Sequence, residues 1–107
     1  MRAGDLVFLS GQIPLTPEGE LNNACFEDEA NQVMQNLAVV CKAAGGGLDD
    51  LVKLNVYVTD LGNFAALNEI MAAYLSEPYP ARAAVQVAAL PRGVRVEIEG
   101  VMRLCAA

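Results

Sequence analysis

Four side chains in this sequence could do chemistry: Arg82, Glu97, Glu99 and Ser10. Arg82 follows Pro80-Ala81 and enters a run of small apolar residues. A guanidinium is costly to bury without a partner, so an Arg among Ala and Val needs a reason. One reason is bidentate capture of a substrate carboxylate, which suits the planar fork of Arg. The plainer alternatives are a solvated edge residue and an ion pair with a strand neighbour such as Glu97. Glu97 and Glu99 stand two apart on an alternating strand and share a face. Either they form a solvated or ion-paired face, or one of them orients and deprotonates a water. Ser10 closes an apolar strand at Gly11. It reads as a turn residue, and without a His or an obvious Lys partner it is no nucleophile.

The rest of the composition narrows the chemistry further. The chain has 107 residues and no His, which removes Ser-His-Asp and Cys-His arrangements and most catalytic zinc sites; no metal site is expected. Gly45-Gly46-Gly47 lacks both the P-loop Lys and the GxGxxG spacing, so it reads as a helix stop. Net charge is −6, with a pI near 4.4. The seven Lys and Arg are dispersed. No basic stripe is available for nucleic acid, and an anionic membrane surface is disfavoured for the same reason. A small anionic metabolite remains possible, because one Arg can hold one carboxylate whatever the net charge. Cys25, Cys41 and Cys105 are odd in number and lack CxxC spacing, which points to buried thiols in a reducing compartment. The apolar runs are short, so a soluble, cytoplasmic protein is expected.

These residues must be positioned by a single domain over residues 1–107. Leu6-Val7-Phe8-Leu9 predicts a strand to about Gln12. Turns follow at Pro14 and Pro17-Glu18-Gly19. From Glu27 onward, Ala30, Val33, Met34, Leu37, Val40, Cys41 and Ala44 recur at helical steps. Glu27, Asp28 and Glu29 favour the N-terminal end of that helix dipole. Val52, Leu54, Val56 and Val58 alternate as one strand face. Asp60 is a good cap before a second helix, whose face is Phe64, Leu67, Met71, Tyr74 and Leu75 and which Pro78 and Pro80 stop. The last third predicts a hairpin, with Arg82–Ala88 and Val94–Met102 as arms around Leu90-Pro91-Arg92-Gly93. The order is β-α-β-α-β-β, an α+β layer with two helices on one face of a mixed sheet. Arg82, Glu97 and Glu99 are expected together on the other face. With 54% hydrophobic residues in so short a chain, some apolar surface is expected to face a partner subunit.

Three segments carry a family resemblance. They are Ser10-Gly11-Gln12-Ile13-Pro14; then Val52 to Asp60 with Phe64 and Asn68-Glu69; then Pro80-Ala81-Arg82-Ala83-Ala84 through Ala89-Leu90-Pro91 to Val96-Glu97-Ile98-Glu99. In this order and spacing the chain resembles the RidA/YjgF family, older names for which include translation initiation inhibitor and L-PSP ribonuclease. The resemblance covers nearly the whole chain. It implies a chorismate-mutase-like fold, a homotrimer with clefts between subunits, and no cofactor. It implies hydrolytic deamination of enamines and imines such as 2-aminoacrylate to 2-keto acids and ammonia, the work of a 2-iminobutanoate/2-iminopropanoate deaminase. In that reading Arg82 grips the carboxylate with help from the backbone N–H of Ala84, Glu97 positions water and moves its proton, and Ser10 and Asn68 line the cleft. Many relatives have Cys where this chain has Ala84. Family members usually carry an extra N-terminal segment with a Gly-Pro-Tyr-Ser-Gln-like motif. That segment supplies the first strand and a Tyr, and neither has a counterpart in this sequence. A non-catalytic trimer that binds or senses 2-keto acids is the alternative function, and an RNA-directed activity a more distant one.

Overall fold

The computed structural model describes residues 1–104. Cys105, one of the three thiols, lies outside them. The elements run β1 (Arg2–Ala3), β2 (Leu6–Gln12), α1 (Phe26–Ala43), β3 (Leu51–Val58), α2 (Phe64–Tyr74), β4 (Ala81–Gln86) and β5 (Val96–Arg103). Short 3-10 turns at 48–50, 61–63 and 91–93 join them. The five strands form one mixed sheet in the order β1-β2-β5-β3-β4.

Helix α1 forms where the sequence periodicity places it. Ala30, Val33, Met34, Leu37 and Cys41 are all fully buried. It ends in a Schellman motif: Gly45 has φ +98, its N–H donates to Lys42 O, and the Gly46 N–H donates to Cys41 O at 2.9 Å. Burial pushes the Cys41 thiol pKa up, with Asp50 adding to the effect. Cys25 is half-buried. On α2, Leu67 and Met71 face the same core, which also takes Leu54, Val56 and Val58 from β3 and Val96, Ile98 and Met102 from β5. Burying each of these larger side chains contributes roughly 1.5–3 kcal/mol, which outweighs any single propensity and decides which sheet face the helices cover. Asp60 caps the turn before α2, accepting from the Gly62 N–H at 2.8 Å. Among the described residues no helix is long and apolar enough to cross a membrane.

Polar groups fasten the loops to α1. Asn36 Nδ2 donates to Ile13 O at 3.1 Å and Leu15 O at 2.9 Å, holding the segment that leaves β2. Glu29 is 1% exposed. It does more than complement the helix dipole, because it ion-pairs with Arg95.

Four expectations need correction. There is no hairpin in the last third, because β3 lies between β4 and β5. β4 instead runs parallel to β3, from Lys53↔Ala81 to Val58↔Gln86, as a β-α-β crossover through α2 allows. Val52 is 44% exposed while Leu51 is buried. A register shift between Leu51 and Lys53 against β5 breaks the alternation there. The element order gains a strand, since Arg2↔Val7 and Ala3↔Leu6 pair β1 with β2. Among the described residues no strand covers the rest of that edge of β2. Finally, Arg82 is not on the face of Glu97 and Glu99, for reasons that belong to the site.

Candidate active site

Arg82 pairs in register with Leu54, whose side chain is fully buried under the helices. Neighbours in register share a sheet face, so Arg82 also points to the helix side. Its guanidinium reaches α2. Nη1 donates to Asn68 Oδ1, the Cζ lies 5.0 Å from the Phe64 ring centroid, and Met71 Sδ is 3.9 Å from Nη1. The ring face stabilises the cation and the amide orients it. Asn68 is neutral, and no carboxylate pairs with Arg82 among the described residues. An open cleft of about 580 Å³ adjoins it, walled by Met71, Leu75, Tyr79 and Pro80. The charge therefore sits beside mostly apolar walls, and although Glu69 also lines the cleft, no carboxylate among the described residues is paired with it.

The backbone of β4 adds a donor to the same edge. The Val87 N–H donates to Val58 O at 2.9 Å. Alternation along a parallel ladder then turns the N–H of Ala84, like those of Arg82 and Gln86, outward from the sheet. β4 is the last strand of the sheet, so among the described residues that N–H has no ladder partner.

Glu97 stands on the opposite face. Its register partner is Tyr57 on β3. On its other side β2 carries a bulge, since the register shifts between Leu9 and Gln12. Ser10 and Gly11 occupy that shift, and both are exposed. A bulge re-aims the chain, and here it brings the bare Cα of Gly11 beneath the carboxylate. A methyl at Gly11 would lie 2.5 Å from Glu97 Oε2 and 3.0 Å from its Cδ. The Glu97 carboxylate makes no hydrogen bond or ion pair among the described residues. Glu99, by contrast, is occupied. It accepts from Tyr57 Oη at 2.7 Å and from Asn55 Nδ2 at 3.3 Å. The hydrogen bond to Glu99 holds the Tyr57 phenol in its protonated form and raises its pKa, with a smaller contribution from burial and from the two carboxylate charges.

The contact at Gly11 makes a prediction. Gly11→Ala should force the Glu97 side chain aside while leaving the core intact. If Glu97 serves as a general base, its displacement by about 1 Å can cost on the order of 10²-fold in turnover. The check is steady-state kinetics beside a thermal melt, with a fall in kcat and an unchanged melting temperature expected.

The residues singled out from sequence thus form two groups. Asn68, Arg82 and Ala84 gather at the helix side and outer edge of β4. Ser10 and Glu97 gather on the open face beside Gly11. Within one chain the sheet separates the two groups, which also excludes an Arg82–Glu97 ion pair inside a protomer. The sequence reading missed Phe64 as a cation platform, Gly11 as a seat, and the Tyr57–Glu99 bond. The register partner of Glu97 carried a weak signal for the last, since a Tyr on a strand beside two acids invites one.

The family described as Endoribonuclease L-PSP matches residues 1–103. The chain belongs to this family, the RidA/YjgF family. It is 47% identical over 105 residues to the RutC family protein y4sK of Sinorhizobium fredii, covering 97% of this chain and 83% of that one. It is 37% identical over 103 residues to the 2-iminobutanoate/2-iminopropanoate deaminase of Dermatophagoides farinae, covering 95% and 80%. The crystal structure of RidA from the Antarctic bacterium Psychrobacter sp. PAMC 21119 superposes with a TM-score of 0.94 at 53% identity, covering 97% and 85%. The RidA fold, one mixed sheet with two helices on one face, is therefore the fold of this chain.

Proposed function

We propose that this protein hydrolyses reactive enamines and imines of 2-amino acids, such as 2-aminoacrylate, to 2-keto acids and ammonia in the cytoplasm. The observation that carries the reading is Arg82: a guanidinium braced by the neutral Asn68 and Phe64 at a mostly apolar cleft, with no ion-paired acid among the described residues. A substrate carboxylate supplies the missing charge through two parallel hydrogen bonds, and the outward N–H of Ala84 adds a third. The enamine first takes a proton at its terminal carbon and becomes the imine. Water then attacks the imine carbon. A C–O bond forms, the C=N electron pair moves to nitrogen, and Glu97 takes the water proton and passes it to that nitrogen. This gives a carbinolamine with a hydroxyl and an NH2 group. Glu97 then moves the hydroxyl proton to the nitrogen, the C–N bond breaks as the C=O forms, and ammonia leaves. Ser10 lines the cleft beside the base. No nucleophilic side chain is required. The relative named for 2-iminobutanoate and 2-iminopropanoate deamination supports this substrate class.

The two groups of residues act on one substrate only if they come from different copies. A homotrimer in which the β4 edge of one chain meets the open sheet face of the next supplies this. Phe8 and Val85, 47% and 46% exposed, give that contact apolar surface. The outer edge of β4 also leaves N–H and C=O groups for a partner.

The test is turnover of 2-aminoacrylate generated in situ, beside sedimentation of the same sample. Keto-acid and ammonia release is expected from a particle of about three times the 11.3 kDa chain mass. Binding of pyruvate without turnover would favour a non-catalytic 2-keto-acid sensor. A monomer at micromolar concentration would overturn the shared site. Salt-sensitive RNA binding would overturn the small-molecule reading.

A further inference from the structure

Glu29 raises a question that the reaction as written does not answer. It lies on α1, far in sequence from Glu97, yet it is 1% exposed. Both of its oxygens are committed to a single residue. Oε1 accepts from the Arg95 backbone N–H at 2.8 Å, and Oε2 lies 3.3 Å from Arg95 Nε. The Arg95 carbonyl in turn accepts from the Thr59 N–H at 3.1 Å. The donor, the acceptor and the side chain of residue 95 are therefore all held, and its neighbours Val94 and Val96 are buried at 2% and 0%.

A buried carboxylate is a poor source of net stability, because its desolvation cancels much of what the ion pair gains. An apolar side chain could fill the same volume. What the carboxylate adds is direction, in the form of a bond to one particular backbone N–H. That N–H sits just before β5, two residues from Glu97. Strand side chains alternate, so a slip of one residue at the start of β5 would turn Glu97 to the helix side. A smaller shift would lift its carboxylate off Gly11, where the fit leaves no room for even a methyl group.

We propose that Glu29 is a positioning residue for the reaction, acting through Arg95 to fix the register of β5 and the seat of Glu97 over Gly11. This rests on Glu97 being the base. Arg82 and Asn68 lie on β4 and α2, and the hydrogen bond and ion pair of Glu29 both go to Arg95 instead, so carboxylate binding is expected to be independent of it. Loss of Glu29 then affects kcat and spares KM.

The experiment compares Glu29→Ala and Glu29→Gln with the unaltered protein. Three quantities are read: kcat and KM for imine hydrolysis, pyruvate binding by calorimetry, and amide hydrogen exchange along β5. The alanine variant is expected to lose on the order of 10- to 100-fold in kcat, the size of effect a small misplacement produces. Its KM and pyruvate affinity should stay within about twofold, since the contacts that set them are unaltered. Exchange should quicken at Val96–Ile98 and not at the centre of β3. The glutamine variant keeps an oxygen for the Arg95 N–H and should recover most of kcat and of the protection. Should the alanine chain fail to fold, Glu29→Asp replaces it with the same outcome expected, since it keeps the charge but withdraws the oxygens by one methylene. Wild-type kcat with protected Val96–Ile98 amides in the alanine or aspartate variant would overturn the proposal. So would equal losses in both variants with pyruvate binding falling in step, which is general damage. If the unaltered protein turns nothing over, the deamination reading fails, while exchange at Val96–Ile98 still decides whether Glu29 sets the strand.

Discussion

Arg82→Ala is expected to abolish 2-keto acid binding and to reduce deamination to background. The guanidinium has no carboxylate partner among the described residues, and in the proposed reading a substrate carboxylate neutralises it. Losing a charge-assisted bidentate contact in a cleft that the proposed neighbouring copy closes off from water costs roughly 2–5 kcal/mol, or about 30- to 4,000-fold in affinity at 1.4 kcal/mol per tenfold. Arg82→Lys should fail nearly as badly. An ammonium keeps the charge but is a point donor, and neither the paired hydrogen bonds nor the flat stacking over Phe64 carries over. Stability should change little, because Arg82 sits on an exposed edge strand and its side-chain hydrogen bond and cation–π contact go to α2. An exposed cation–π contact is worth about 0.5–1 kcal/mol. Calorimetry with pyruvate or 2-ketobutyrate, run beside a thermal melt, measures both. Unchanged binding in the alanine variant would sink the site. A collapse of the fold would mean that Arg82 serves to join β4 to α2.

Glu97→Gln is expected to cost turnover alone, by about 10²–10⁴-fold, the usual range for a general base. Gln fits the same space above Gly11 and retains hydrogen bonding, but it cannot take the water proton. Pyruvate affinity should persist, because Arg82 is untouched. Glu99→Gln is the matched control. Glu99 already accepts from Tyr57 and Asn55, and an amide oxygen can accept in its place, so turnover should stay close to that of the unaltered protein. The reverse pattern, with Glu97→Gln active and Glu99→Gln inactive, would transfer the role of base to Glu99.

Much of this was legible in the sequence because the relevant patterns are local. The helical steps from Ala30 to Cys41, the triple glycine after them and the Asp60 cap each follow from a few neighbouring residues. The readings that failed depended on distant partners. Arg82–Ala88 and Val94–Met102 looked like hairpin arms because a Pro-Arg-Gly turn stands between them. The competing parallel pairing with β3 is long-range and leaves no local mark. The same stretch hid the direction of Arg82, since Ala81, Ala83 and Ala84 are small on both faces and give no alternation to read. Val52 looked buried because it keeps step with Leu54, and only the register shift against β5 replaces it with Leu51. Glu29 was hidden among Glu27 and Asp28, where three acids at a helix start have a sufficient explanation in the dipole. Its burial depends on Arg95, 66 positions along the chain.

The separation of Arg82 and Glu97 by the sheet has a genetic consequence. If each cleft joins the β4 edge of one copy to the open face of the next, two dead proteins can repair each other. An Arg82→Ala chain still offers a sound Glu97, and a Glu97→Gln chain still offers a sound Arg82. Refolded together in equal amounts, they should assemble rings in which about one cleft in four receives both intact halves. Two inactive alleles expressed in one cell would then complement. Had both residues served the same cleft from a single chain, no mixture of the two could regain activity.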